Sequence, residues 1–178
     1  MKPARQRVVP TAAFDPDAEN RHETQVRVRL TVNRRPIDMT VLTRTTLAAL
    51  LRDHLHLMGT KLGCNEGTCG SCTVQVDGVP MYACMLLASD ATAKQVLTIE
   101  GLGTVEKPHI LQSVFANTYA AQCGYCTPGL ILTAEALLRK KPHPTEGEIK
   151  TALAGNLCKC AAYPEIVDAV LEAAELMP

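Results

Sequence analysis

The stretch GCNEGTCGSC, residues 63–72, decides how this chain of 178 residues can be understood, because it places three cysteines close together. A fourth, Cys84, follows after a short gap. The other four form a second group with C-x2-C and C-x-C spacing: Cys123, Cys126, Cys158 and Cys160. Four thiolates are the number that one [2Fe–2S] cluster requires, so eight cysteines in two groups predict two clusters and a protein that transfers electrons.

The first group has the C-x4-C-x2-C spacing, with a distant fourth cysteine, that is typical of plant-type ferredoxins. Gly63, Gly67 and Gly70 would let the loop wrap tightly around a cluster and direct backbone N–H groups at its sulfurs. A four-cysteine zinc site is the alternative, but such sites usually combine two short-spaced pairs, which this group lacks. We therefore predict one cluster on Cys64, Cys69, Cys72 and Cys84.

The second group lies beside two predicted helix starts. Cys126 directly precedes Thr127-Pro128, which we interpret as an N-cap and a first helical residue, and Cys160 precedes the last predicted helix. Free N–H groups and the dipole at a helix N-terminus favour an anion such as a cluster. A thioredoxin-like redox pair is the alternative for C-x2-C, but that motif belongs to a βα unit, whereas these surroundings are helical.

Apolar residues alternate along the chain that precedes residue 100, and this period predicts strands. Residues 25–41 read as a hairpin with its turn at 33–36, and Asp77-Gly78 marks a second hairpin. Thr46 looks like the N-cap of a short helix between the hairpins. Residues 96–99 predict a last short strand, so this half of the chain should be a small sheet crossed by one helix.

From about residue 101 the apolar period changes to that of helices. Helices are predicted from Ile110, from Thr127, after a capping box of Thr145 and Glu148, and after Pro164. Four helices with short links indicate a compact bundle. The predicted organisation is therefore α+β: a flexible arm over residues 1–24, a sheet domain over 25–100 and a helical domain over 101–178.

Composition narrows the class of protein. The 18 basic and 18 acidic residues balance, which gives no reason to expect nucleic acid or an anionic membrane as a partner.

No apolar stretch approaches the roughly 20 residues of a membrane span, and the N-terminal residues lack the apolar region of a signal peptide. We expect a cytoplasmic protein, or a periplasmic one only if a partner exports it. Four disulfides would fit a short secreted chain with a poor core, which this is not.

Two further motifs, QCGYCTPG at residues 122–129 and GNLCKC at 155–160, resemble the signatures of the small iron–sulfur subunit of molybdenum hydroxylases, the xanthine oxidase family. GCNEGTCGSCTV, residues 63–74, is similar to that family's first-cluster motif, and the match covers about residues 25–175. The resemblance implies a β-grasp plant-type ferredoxin domain followed by an all-α four-helix-bundle [2Fe–2S] domain. Lys159, Ala161 and Ala162 stand where the family usually has Arg, Thr and Gly.

The resemblance also implies partners. A large subunit would hold molybdopterin, in bacteria usually as the cytosine dinucleotide, and a medium subunit would commonly hold FAD. Electrons from substrate hydroxylation at molybdenum would pass to the cluster of the second cysteine group, then to that of the first, and on to FAD or another acceptor. Gln122 and Cys160 would contact the pterin, and no catalytic residue is expected in this chain. A free-standing two-cluster ferredoxin and a zinc-structured adaptor are the alternatives.

Overall fold

The computed structural model describes residues 24–177. The arm predicted over residues 1–24 therefore lies outside the described residues, except for its last one. Five strands form one sheet in the order β2-β1-β5-β3-β4, in which β1 and β5 are parallel and the other neighbours antiparallel. The strands are β1 (Gln25–Val32), β2 (Arg35–Leu42), β3 (Thr73–Val76), β4 (Val79–Tyr82) and β5 (Gln95–Leu97).

Both hairpins close with two-residue turns in which each central residue has a positive φ. The angles are 49° and 67° at Asn33 and Arg34, and 48° and 77° at Asp77 and Gly78. Turns of this kind match the right-handed twist of the flanking strands, which is why Asn and Asp-Gly are favoured in them. Both predicted hairpins are confirmed, although β2 already begins at Arg35, inside the predicted turn.

The short helix predicted after Thr46 is also present. α1 (Leu47–Ala49) continues into a π-helical turn over Leu50–His54, and the Thr46 hydroxyl accepts a hydrogen bond of 3.2 Å from the Ala49 N–H. Leu47, Leu50 and Leu51 are fully buried in the core beneath the sheet. This helix leads directly into the first cysteine loop, so its packing anchors one end of that loop.

Five helices occupy the second half: α2 (Ile99–Leu102), α3 (Ile110–Asn117), α4 (Thr127–Lys140), α5 (Glu146–Leu153) and α6 (Tyr163–Leu176). The last four confirm the predicted helices, and the capping box of Thr145 and Glu148 is formed. Two details were wrong. Ile99 begins α2 instead of ending a strand, because β5 stops at Leu97. Thr127 is the first helical residue and Cys126 is the N-cap.

Two hydrophobic cores divide the described part of the chain. We call residues 24–98 the sheet lobe and residues 99–177 the helical lobe, because the buried apolar residues of each range pack into a separate core. α4 packs against β3, which is why Thr73 and Gln75, on the polar face of that strand, are only 2% and 1% exposed. β3 is thus buried on both faces. No helix in residues 24–177 is long and apolar enough to span a bilayer.

Polar side chains connect the lobes at the contact between β3 and α4. Gln75 Nε2 donates to the Leu132 carbonyl at 2.8 Å and to the Glu135 carboxylate at 2.5 Å. Arg139 donates to the Gly78 carbonyl at 2.7 Å and to Gln75 Oε1 at 3.3 Å. Because the Gln75 side chain is buried, these bonds are needed to offset its loss of water. They fix the helical lobe on the sheet.

Candidate metal centres

The first cysteine set consists of an outer and an inner pair. Cys64 and Cys69 are partly exposed, whereas Cys72 and Cys84 are buried. The Cys64 N–H donates to Cys69 Sγ at 3.4 Å, and Cys64 Sγ accepts from three backbone N–H groups at 3.3–3.5 Å: those of Glu66, Thr68 and Cys69. Positive φ angles at Gly67 and Gly70, 77° and 70°, curl the backbone so that its amides point inward.

The two pairs differ in how readily their thiols ionise. The Thr68 hydroxyl, followed by the Glu66 and Thr68 amides, lowers the pKa of Cys64 to about 6. Burial, followed by the neighbouring Cys84 thiol, raises the pKa of Cys72 to about 12. The outer thiol is therefore largely a thiolate at neutral pH, whereas the inner one needs a bound cation to give up its proton.

The second set repeats this division in the helical lobe. Cys123 is exposed and Cys160 partly so, whereas Cys126 and Cys158 are each 8% exposed. The Tyr125 amide, followed by the Cys160 thiol, lowers the pKa of Cys123. Burial, followed by the Cys158 thiol, raises the pKa of Cys126 to about 12. Cys123 thus interacts with Cys160, and Cys126 with Cys158.

The thiols of each set are arranged in two pairs. In residues 24–177, no group of three or more His, Cys, Asp or Glu side chains is placed to hold a metal ion. Each set instead contains an outer pair, Cys64 with Cys69 or Cys123 with Cys160, and an inner pair. Two thiolates on each of two sulfide-bridged irons is the pattern of a [2Fe–2S] cluster, so the donor set fits that group.

Direct hydrogen bonds join the two cysteine loops. The Leu157 N–H donates to the Cys69 carbonyl at 2.8 Å, which links the residue before Cys158 to a cysteine of the first set. Asn156, 4% exposed, donates to the Gly70 carbonyl at 2.9 Å. The Tyr125 hydroxyl donates to the Leu62 carbonyl at 2.7 Å. Long-range contacts therefore hold the two sets side by side.

A pocket of about 450 Å³ opens between the two sets. Three exposed apolar or aromatic side chains line it, Tyr125, Leu157 and Tyr163, together with cysteines of both sets. Gln122, predicted from the resemblance to contact a pterin, is exposed next to Cys123. Both are therefore accessible on the surface of this chain.

Sequence reasoning missed three residues of this region: Asn156, Tyr163 and Tyr82. Asn156 also donates to Thr73 Oγ1 at 3.1 Å and accepts from Thr133 Oγ1 at 3.1 Å. The hydroxyl of Tyr163 accepts from the Cys158 N–H at 2.9 Å, and that of Tyr82 donates to the Gly155 carbonyl at 2.7 Å. Position within the GNLCKC motif was the only signal for Asn156, since its partners are distant in sequence.

Of the three residues that depart from the family pattern, Lys159, Ala161 and Ala162, only Ala161 has an unusual backbone conformation. Ala162, where the family usually has Gly, has a φ of −79° and is buried, so glycine is not needed there. Ala161 has a φ of 60°, which is unfavourable for a residue with a Cβ. Lys159 is exposed at the rim of the pocket.

The strain at Ala161 gives a testable prediction. Ala161→Gly should raise the free energy of unfolding by about 0.5 kcal/mol, because relief of about 1–2 kcal/mol of backbone strain exceeds the larger entropy that glycine loses on folding. Chemical denaturation measures the change. The control is Ala162→Gly, expected to lower the same free energy by about 1 kcal/mol, since Ala162 has a negative φ and a buried methyl group. Stabilisation by Ala162→Gly alone would contradict the assignment of strain.

Comparison with known proteins agrees with the prediction of two [2Fe–2S] sites. A model described as a 2Fe-2S iron-sulfur cluster binding domain matches residues 13–111, and one described as a [2Fe-2S] binding domain matches residues 98–171. A nicotinate dehydrogenase subunit of Pseudomonas putida is 42% identical over 151 residues, covering 85% of this chain and 96% of that one. The nicotinate dehydrogenase small FeS subunit of Eubacterium barkeri is 49% identical over 129 residues, 72% of this chain and 82% of that one.

A solved structure shows the same likeness. A chain of quinoline 2-oxidoreductase from Pseudomonas putida 86 matches with a TM-score of 0.81 and 41% identity, covering 85% of this chain and 94% of that chain. The resemblance found in the three cysteine motifs is therefore confirmed. This chain belongs to the small [2Fe–2S] iron–sulfur subunits of the molybdenum hydroxylase family, which transfer electrons within oxidoreductase complexes.

Proposed function

We propose that each four-thiol set of this chain holds one [2Fe–2S] cluster, which supplies one-electron redox chemistry when bound. Cys64, Cys69, Cys72 and Cys84 are the proposed ligands in the sheet lobe, and Cys123, Cys126, Cys158 and Cys160 those in the helical lobe. The paired arrangement of the thiols supports this assignment. The lowered pKa of Cys64 and of Cys123 supports it further, because a thiolate is the form that binds iron.

The observation that carries the proposal is the direct backbone contact between the two loops. The residue before Cys158, Leu157, donates its N–H to the carbonyl of Cys69 at 2.8 Å. Only one hydrogen bond and a few covalent bonds therefore separate a proposed ligand of one set from a proposed ligand of the other. The chain keeps its two redox sites at a fixed short separation, which is what stepwise electron transfer requires.

The partners follow from the exposed side of the helical lobe. We propose that a large subunit holding molybdopterin, in its cytosine dinucleotide form, docks over Gln122 and Cys123, with Gln122 and Cys160 near the pterin. Electrons would enter there and leave from the sheet lobe to FAD on a medium subunit. The exposed position of Gln122 and Cys123 is consistent with a covered interface in the complex. A cytoplasmic location stays a prediction.

The fold is proposed in the same terms. We infer that residues 25–100, which include nearly all of the sheet lobe, form a β-grasp plant-type ferredoxin domain and that residues 101–178, which include most of the helical lobe, form a four-helix [2Fe–2S] domain. The mixed five-stranded sheet crossed by α1 supports the first assignment. Separate hydrophobic cores and the four longer helices support the second.

The content of iron and sulfide tests the proposed function. The purified complex is expected to contain about four iron and four acid-labile sulfide per copy of this chain, because each [2Fe–2S] cluster has two of each. Visible absorption and chemical analysis measure this. A colourless chain with two zinc ions and no sulfide would support the zinc-structured adaptor instead. A chain isolated from cells with both clusters but with no large subunit would support the free-standing ferredoxin.

A further inference from the structure

Tyr163 contacts a proposed cluster ligand through an interaction that no cysteine motif predicts. It is the first residue of α6, and its phenol lines the pocket between the two thiol sets. The hydroxyl oxygen accepts the Cys158 N–H at 2.9 Å. That amide is therefore already occupied and does not donate to a sulfur of the second set.

Other backbone amides near the two sets do donate to sulfur, such as that of Tyr125 to Cys123 in the second set, and the first loop directs three amides at one thiol. The N–H groups of Glu66, Thr68 and Cys69 all donate to Cys64 Sγ, at 3.5, 3.3 and 3.4 Å. Hydrogen bonds to cluster sulfurs stabilise the more negative, reduced state and so raise the reduction potential. When an amide donates to another acceptor instead, the reduced state loses a hydrogen bond and the reduction potential of the cluster falls.

We propose that Tyr163 is a positioning residue that holds the Cys158 N–H away from the sulfurs of the second cluster and thereby lowers the reduction potential of that cluster. The proposal rests on the proposed function, since it assumes a cluster on each set. A lower potential at the second cluster would favour the passage of one electron from it to the first, with no bond or proton changing place. Tyr163 would thus help to set the direction of electron flow.

The Cys158 amide would need a new acceptor if the phenol oxygen were removed. Cys158 is only 8% exposed, and an unpaired buried N–H is unfavourable. The sulfurs of Cys158 and Cys160 lie in the same loop, and as thiolates they would accept charge-assisted hydrogen bonds, which are stronger than those to neutral acceptors. Without the phenol oxygen, the Cys158 N–H should therefore donate to a sulfur of the second cluster.

The test is Tyr163→Phe in the assembled complex, with both clusters followed by EPR during a redox titration. At a fixed potential, the ratio of reduced to oxidised second cluster is expected to rise about fivefold, the size of one modest hydrogen bond. At 59 mV for each tenfold change this is about +40 mV, and the first cluster should not shift. No shift, or a negative one, would overturn the proposal.

Tyr125→Phe is the matched control. Tyr125 is 46% exposed and Tyr163 is 45% exposed, and both line the same pocket, but the Tyr125 hydroxyl donates to the Leu62 carbonyl. The control should leave both potentials unchanged. An equal shift in the two variants would show that pocket hydration, not the Cys158 amide, controls the potential, and would overturn the proposal.

Pulsed EPR of the unmodified complex gives a readout that does not depend on a variant. Fewer exchangeable N–H protons should couple to the second cluster than to the first, and an equal or greater number would overturn the proposal. Absence of both [2Fe–2S] signals from the unmodified complex would instead mean that the proposed function is wrong. The two failures are therefore distinguishable.

Discussion

Replacement of Cys123 by serine is expected to abolish one of the two [2Fe–2S] EPR signals of the reduced complex and to leave the other intact. Cys123 forms the outer pair of the second set with Cys160, and it is the exposed cysteine of that set. A serine hydroxyl is a much poorer ligand than a thiolate for iron in a cluster, because it is harder and does not ionise at neutral pH. EPR intensity and the iron content per chain measure the loss.

The reciprocal variant Cys64→Ser serves as the control. Cys64 is the corresponding outer residue of the first set, so its replacement should remove the other signal and spare the one lost in Cys123→Ser. Together the two variants assign each signal to one lobe. If both signals kept full intensity in either variant, the ligand assignment would be wrong for that set.

Asn156→Ala is expected to lower the free energy of unfolding by about 3 kcal/mol, because it removes a buried group that bonds to both lobes. Asn156 is 4% exposed and contacts Gly70, Thr73 and Thr133 at 2.9–3.1 Å. The Leu157 N–H bond to Cys69 lies next to this residue and should open more often in the variant. Chemical denaturation measures the first effect, and hydrogen exchange at Leu157 the second.

Asn117→Ala is the comparison for this experiment. Asn117 is exposed at the last residue of α3, away from the contact between the lobes. Its replacement should change the free energy of unfolding by no more than about 0.5 kcal/mol and leave the exchange at Leu157 unaltered. Equal effects of the two substitutions would mean that Asn156 has no special role in joining the lobes.

Local chemistry explains which parts of the fold could be predicted. The turns at Asn33-Arg34 and Asp77-Gly78 and the cap at Thr46 depend on a few neighbouring residues, and all were visible in the sequence. Thr127 shows the limit of this reasoning. Thr followed by Pro predicts Thr127 as the N-cap and Pro as the first helical residue. The helix begins one residue earlier than this pattern indicates, so Cys126 occupies the N-cap position.

Contacts between distant segments explain what could not be predicted. Thr73 and Gln75 look like the solvent face of β3, yet α4 covers them, and nothing near them in sequence reveals that helix. The cysteine spacing predicted two ligand sets, but not that the Leu157 amide would meet the Cys69 carbonyl. Tyr163 is likewise linked to Cys158 only once the chain turns at Ala161.

The hydrogen bonds between the two lobes share one kind of acceptor, and this affects which substitutions related subunits can tolerate. Most of them end on main-chain carbonyl oxygens, those of Leu62, Cys69, Gly70, Gly78, Leu132 and Gly155. A carbonyl is present whatever side chain its residue carries, so a substitution at a partly buried position such as Leu62 leaves the acceptor in place. Related subunits could therefore remodel the surface around the cysteine loops for new partners and still inherit the same spacing of their redox sites.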